Sequence, residues 1–162
     1  TGGFRYRSTS ALTHEITGKL INKGADPAII SSNTWDTNSI SRLHLLALVL
    51  GRVETVQNGQ VAIMSLTREE LKNLGYQKGD TEGFVNYGLS IKGTKVSAFF
   101  TEDLFEDFIK ISFRSKDETD VNQFSRKYFN GGGHINAAGG RCDETLENTN
   151  EKFKQILEKE NI

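Results

Sequence analysis

The spacing of apolar residues changes character part-way along the chain. Leu12, Ile16 and Leu20 recur at helical intervals, with Gly24 placed to stop the helix. Asp26-Pro27 is a helix-start signal, an N-cap side chain followed by a proline whose fixed φ suits the first helical position. A third helix is predicted over about 39–53, with Ile40, Leu43, Ala47 and Leu50 along one face. The first fifty or so residues therefore read as helices without a sheet to pack on, too little for a stable domain.

Beyond them the pattern turns to strands. Residues 53–56, Asn58-Gly59 and 60–66 predict a β-hairpin. Thr67-Arg68-Glu69-Glu70 is a capping box opening a short helix that stops near Gly75. Residues 81–87 predict another helical turn, and 89–91, Lys92-Gly93 and 94–101 a second hairpin. In 108–114, Phe108, Lys110, Ser112 and Arg114 alternate with Ile109, Ile111 and Phe113, as in a half-buried strand. Asp120 caps a helix to Phe129, a short strand is predicted at 140–142, and a last amphipathic helix from Thr145 carries Leu146, Phe153, Ile156 and Leu157. Four or five strands with interleaved helices predict an α/β fold with a mixed β-sheet flanked by helices. The predicted boundary near Arg52 separates a helical segment, 1–52, from an α/β domain, 53–162.

Composition narrows the options. With 162 residues, 36% hydrophobic and 25% charged, the chain can build one sizeable core. Net charge is −1, from 20 basic and 21 acidic residues, which argues against a broad non-specific grip on duplex DNA. Cys142 is the only cysteine, so neither a disulfide framework nor a cysteine-based zinc site is available, and a cytoplasmic setting fits. The longest apolar run, 45–50, is too short to cross a membrane.

The candidate chemistry gathers in Asn130-Gly131-Gly132-Gly133-His134-Ile135-Asn136-Ala137-Ala138-Gly139-Gly140, where five glycines and a lone imidazole fall within eleven residues. Glycine allows positive φ and close approach, so successive amides can converge on an anion, and His134 can donate to a phosphate or stack on a base. The dinucleotide fingerprint fails, because Asn136 stands where its third glycine belongs, and the phosphate-loop motif lacks its Lys-Ser or Lys-Thr. Spacing alone leaves a slack loop with an incidental histidine equally open. A second piece is Phe113-Arg114-Ser115 at the end of a predicted strand, one helix before the glycines. In such a β-α-loop arrangement both pieces reach the same sheet end, Arg114 offering a bidentate fork and Ser115 a hydroxyl.

At Ser112-Phe113-Arg114-Ser115-Lys116, Asp120-Val121-Asn122, Phe129-Asn130-Gly131-Gly132-Gly133-His134 and Ala137-Ala138-Gly139 the chain resembles the associated C-terminal domain of the Asp-His-His phosphoesterases, and Thr81-Glu82-Gly83-Phe84-Val85-Asn86-Tyr87 is similar to an earlier signature of that domain. The subgroup it resembles is that of bacterial nanoRNA-degrading and pAp-phosphatase-like enzymes, relatives of RecJ. Asn136 departs from the pattern, which commonly has a lysine or similar residue there, and its role stays open. Thr1-Gly2-Gly3-Phe4-Arg5-Tyr6 resembles the end of the catalytic domain, whose metal-binding aspartate would stand just before Thr1.

The resemblance implies a division of labour. A catalytic domain of the same parent polypeptide would hold two Mn2+ ions that activate water for attack on a phosphoester. The associated domain would hold the substrate, a short single-stranded RNA or a nucleotide phosphate such as pAp, through Arg114, Ser115, Gly131, Gly132, Gly133, His134, Ala137 and Ala138, with Phe4 and Arg5 lining the cleft. His14, His44 and His134 lie far apart in sequence, and this chain is expected to hold no metal and to be inactive alone. No membrane is implied, and a homodimer is allowed. The rival expectation is a non-catalytic module that binds a mononucleotide or cyclic dinucleotide.

Overall fold

The structure is a computed structural model that describes residues 3–4 and 8–160. The chain divides into two compact units, Thr1–Asn38 and Ser39–Ile162.

The first unit contains α1 (Ala11–Asn22) and α2 (Pro27–Trp35). Ser10 and Thr13 form a capping box at the start of α1, and Gly24 follows the helix at φ +99. Asp26 caps α2 by accepting from the amides of Ala28 and Ile29, with Pro27 opening the helix as its missing donor allows. Neither helix buries a residue, and Leu12, Ile16, Leu20, Ile29, Ile30 and Trp35 are all exposed.

The second unit is a six-stranded mixed sheet in the order β1-β2-β3-β4-β6-β5. Its elements are α3 (Ile40–Gly51), β1 (Glu54–Val56), β2 (Val61–Leu66), α4 (Arg68–Asn73), α5 (Val85–Ser90), β3 (Val96–Glu102), β4 (Ile109–Ser115), α6 (Val121–Tyr128), β5 (Gly132–His134), β6 (Ala137–Cys142) and α7 (Leu146–Glu160). Strands β2 and β3 are parallel and the other neighbours antiparallel. The α3 helix packs in this unit, so the compact units divide upstream of the boundary expected near Arg52.

Alternation along the strands gives the sheet two different faces. One carries Val61, Ile63, Val96, Ala98, Phe100, Ile109, Ile111, Phe113, Ala138 and Cys142 against Val121, Phe124 and Phe129, with Phe153 and Leu157 of α7. Phe113 is its hub, with ring centroids of Phe124, Phe129, Phe153 and Phe100 at 5.6, 5.6, 5.8 and 6.4 Å. The other face is covered over β2 and β3 by Leu45, Val49, Leu71, Phe84 and Val85, packed on Met64, Leu66 and Phe99. Helix α5 lies close to the sheet because a Cβ on Gly88 would fall 2.1 Å from the Ser97 hydroxyl oxygen.

Four expectations are corrected. The second hairpin does not form, because Leu89 and Ser90 finish α5, Gly93 turns at φ +90, and β3 then pairs parallel to β2 across the α4–α5 crossover. The helical turn expected at 81–87 is displaced to α5. On α3 the stripe that buries is Ser41, Leu45 and Val49, while Ile40, Leu43 and Leu50 are exposed; a helix apolar on most sides does not reveal its inward face by period alone. The glycine stretch is not a loop but the hairpin β5–β6, which starts its second strand at Ala137 rather than near Gly140.

Candidate functional site

Cross-strand register brings the two candidate side chains together. Arg114 lies opposite Ala137 in the β4–β6 ladder, and His134 lies opposite the same Ala137 in the β5–β6 ladder. Directly opposed residues share a face, so guanidinium and imidazole flank one small side chain across roughly 10 Å, two strand spacings. Ser112, Gly139 and Gly132 form the next row on this face. Ser112, Arg114, Ala137, Gly139 and Gly132 are half-exposed and His134 is exposed, in contrast with the buried Phe113 and Ala138 between them. Both key residues stand at the C-terminal end of their strands.

The positions are set by hydrogen bonds around the turn at Ile135-Asn136. The Ile135 carbonyl accepts from the amide of Val121, at the start of α6. The Asn136 carbonyl accepts from the amide of Ser115, and its Nδ2 donates to Ser115 Oγ and to the Asp117 carbonyl, each at 3.0 Å. Asn136, whose role the sequence left open, therefore ties the hairpin to the end of β4. Asn122 Oδ1 accepts from the Gly133 amide at 2.9 Å and from Arg126 Nε at 3.0 Å. Arg126 thereby lies beside the edge strand, with Cζ, Nε and Nη2 3.4 Å from where a Gly132 Cβ would stand. The spacing of Asn122 and Arg126, four residues apart on one helix, is the sequence signal for this contact.

Arg114 Nη1 donates to the Phe113 carbonyl at 2.8 Å, and among the described residues no carboxylate pairs with it. The His134 imidazole has no hydrogen-bond partner among the described residues, its backbone being paired with Ala137. Both are open to an incoming acceptor, and a planar guanidinium beside an imidazole suits a phosphate oxygen cluster.

The other candidate residues fall elsewhere. Ser115 is buried on the opposite face, where its hydroxyl donates to the Thr119 carbonyl at 2.6 Å, so the expected ligand-facing hydroxyl is a tie within the fold. Ala138 is also buried on that face, against Phe113. The glycine amides do not converge on an open anion site: Gly131 donates to the Ser125 carbonyl, Gly133 to Asn122, and Gly132 lies in the ladder with Gly139. The glycines instead permit tight packing, since a Cβ on Gly131 would fall 1.9 Å from the Gly139 carbonyl. Phe4 belongs to the first unit, where its ring stacks on His14 with centroids 4.6 Å apart, and Arg5 lies outside the described residues.

A cavity of about 600 Å3 opens at the other end of the strands, among Arg68, Lys72, Glu102, Asp107 and Asp143. Arg68 there is engaged with the carbonyls of Asp103 and Glu106 and with Asp107, so it ties the start of α4 to the β3–β4 loop. Among the described residues no three His, Cys, Asp or Glu side chains cluster as metal ligands, and a guanidinium, an imidazole and a serine are a poor donor set for a metal pair. No helix among them is long and apolar enough to cross a membrane.

A sequence profile of the DHHA1 domain matches residues 58–160. The chain belongs to the DHHA1 domain family. It is similar to a 3′,5′-cyclic-nucleotide phosphodiesterase of Helicobacter pylori, 32% identical over 108 residues, 62% of this chain and 30% of that protein. It is also similar to a membrane protein–large ribosomal subunit bL9 fusion protein of Onion yellows phytoplasma, 27% identical over 99% of this chain and 18% of that one. Among solved structures, an exopolyphosphatase-related protein from Bacteroides fragilis superposes with a TM-score of 0.92 at 42% identity, covering 98% of this chain and 46% of the other. A pGpG-specific phosphodiesterase from Vibrio cholerae shares the fold, with a TM-score of 0.58 at 17% identity over 99% of this chain and 54% of its own. The chain thus spans about half or less of the length of these proteins.

Proposed function

We propose that this chain is the substrate-holding part of a DHH-family phosphoesterase acting on short oligoribonucleotides or pAp-like nucleotides. The observation that carries the proposal is the row Arg114–Ala137–His134, a cation and an imidazole on one bare sheet face with only a methyl group between them. Arg114 would take the phosphate bidentately and His134 would donate from the other side. Arg126, held by Asn122 beside Gly132, would add positive potential at the strand edge. Two Mn2+ ions and the attacking water belong, in this reading, to a catalytic domain elsewhere in the parent polypeptide.

The test is calorimetric titration of the 162-residue chain with adenosine 3′,5′-bisphosphate and a short oligoadenylate. Binding should weaken with added salt, as a charge-led contact does. It should fall roughly 10- to 150-fold in Arg114→Ala, the equivalent of about 1.5–3 kcal/mol for a charged hydrogen bond. The chain should not turn over either compound when Mn2+ is added. Unchanged affinity in Arg114→Ala, or robust Mn2+-dependent turnover by the wild-type chain, would refute the reading.

A further inference from the structure

Three glycines around His134 are required by the fold itself. A Cβ would fall 1.9 Å from the Gly139 carbonyl at Gly131, 2.4 Å from the Ala137 carbonyl at Gly133, and 2.9 Å from Phe129 Cβ at Gly140. Gly139 is different. The nearest atom to a Cβ there is the Ile111 carbonyl oxygen at 3.6 Å, ordinary contact, and its φ lies outside the left-handed range. It stands inside a strand, where glycine weakens the element, so packing gives no reason for it.

Its place in the sheet offers another reason. Gly139 pairs with Ser112 on one side and Gly132 on the other, on the same face as Arg114, Ala137 and His134 and about 7 Å further along the strands. The Ser112 hydroxyl is half-exposed and has no hydrogen-bond partner among the described residues. The row is thus a floor of peptide planes beside Arg114 and His134, with the Ser112 hydroxyl at one border and the Arg126 guanidinium at the other, 3.4 Å from where a Gly132 Cβ would stand.

We propose that Gly139 is a clearance residue: the nucleoside part of the ligand lies flat on the Ser112–Gly139–Gly132 row while its phosphate meets Arg114 and His134. This rests on the reading of the site given above and adds the part of the ligand that charge does not explain. A side chain at 139 would stand up from the floor and hold base or sugar away from it. The Ser112 hydroxyl can serve the edge of the nucleoside as donor or acceptor.

The experiment uses Gly139→Ala and Gly139→Val in the 162-residue chain, with adenosine 3′,5′-bisphosphate and inorganic phosphate as probes. Thermal unfolding should be unchanged or raised in both variants. Affinity for the bisphosphate should fall at least tenfold in Gly139→Val and less in Gly139→Ala, while binding of inorganic phosphate should not change. A Tm drop in both variants matching that of Gly140→Ala overturns the proposal, because the fold would then need the glycine. Unchanged bisphosphate affinity in Gly139→Val, with Arg114→Ala weakened, overturns the clearance role alone. A wild-type chain that binds neither probe overturns the clearance role and the site reading together.

Discussion

The two faces of β4 share one backbone and do opposite things. Ile109, Ile111 and Phe113 point into an aromatic core closed by α6 and α7, whereas Lys110, Ser112 and Arg114 point to the other side. That side is covered over β2 and β3, but over β6 and β5 it shows Ala137, Gly139, Gly132 and His134, with Arg141 opposite Lys110 at the far end of β6. Phe113 and Arg114 are chain neighbours, yet one is fully buried and the other half-exposed. Strand alternation thus separates the residues that hold the fold from those that can hold a ligand. It also couples them, because the bare face inherits its rigidity from the packed one.

This contrast can be broken by paired substitutions. The largest effect is expected for Phe113→Ala, which removes the hub of the phenylalanine cluster and should lower stability by about 3–5 kcal/mol in urea unfolding. Its folded fraction should bind nucleotide normally. Gly140→Ala should follow, at about 1–3 kcal/mol, since the added methyl meets Phe129 and Ser125 inside the same core. Arg114→Ala should invert the pattern, losing affinity as stated above while unfolding within about 0.5 kcal/mol of wild type. If Arg114→Ala destabilises as strongly as Phe113→Ala, the two faces are not separable and the contrast fails.

Much of this arrangement was legible in the sequence, and the gaps have physical causes. Local signals served well: Asp26-Pro27, the Thr67–Glu70 capping box, the Asp120 cap and the alternation in β4 all describe contacts within a few residues. Non-local pairing was hidden. Nothing near Gly93 says that β3 joins β2 in parallel, because that partner lies across a crossover. The glycine stretch was the hardest part. With hardly a side chain to alternate, β5 and β6 carry no period, and their strand character comes from the register with β4 and from ties such as Asn122 to Gly133. The same blindness hid the inward turn of Ser115 and the structural duty of Asn136.

The smallest expected effect sharpens the contrast within the covered half of the second face. Buried Asp80 joins α3 to the segment before α5: it accepts from Ser39 Oγ at 2.8 Å, Ser41 Oγ at 2.6 Å and the Gln77 amide at 2.9 Å, while Arg42 donates to its carbonyl. Burial by itself would raise its pKa, but the hydrogen bonds from Ser41, Gln77 and Ser39, together with the nearby Arg42 charge, outweigh it and hold the carboxyl below its ordinary 3.8. A carboxylate with a depressed folded pKa stabilises fully above its unfolded value and loses that contribution as pH falls through the folded one. Asp80→Asn should therefore lower stability at neutral pH by about 1 kcal/mol, the scale of one hydrogen bond weakened without being lost. The Tm gap from wild type should stay constant down to about pH 5 and close at more acidic pH. Nucleotide affinity at neutral pH should not move, because Asp80 secures the covered half and the Arg114 row lies on the bare one. A gap that persists unchanged into acid would assign the effect to shape rather than charge, and a loss of affinity would show that the covered and bare halves act as one.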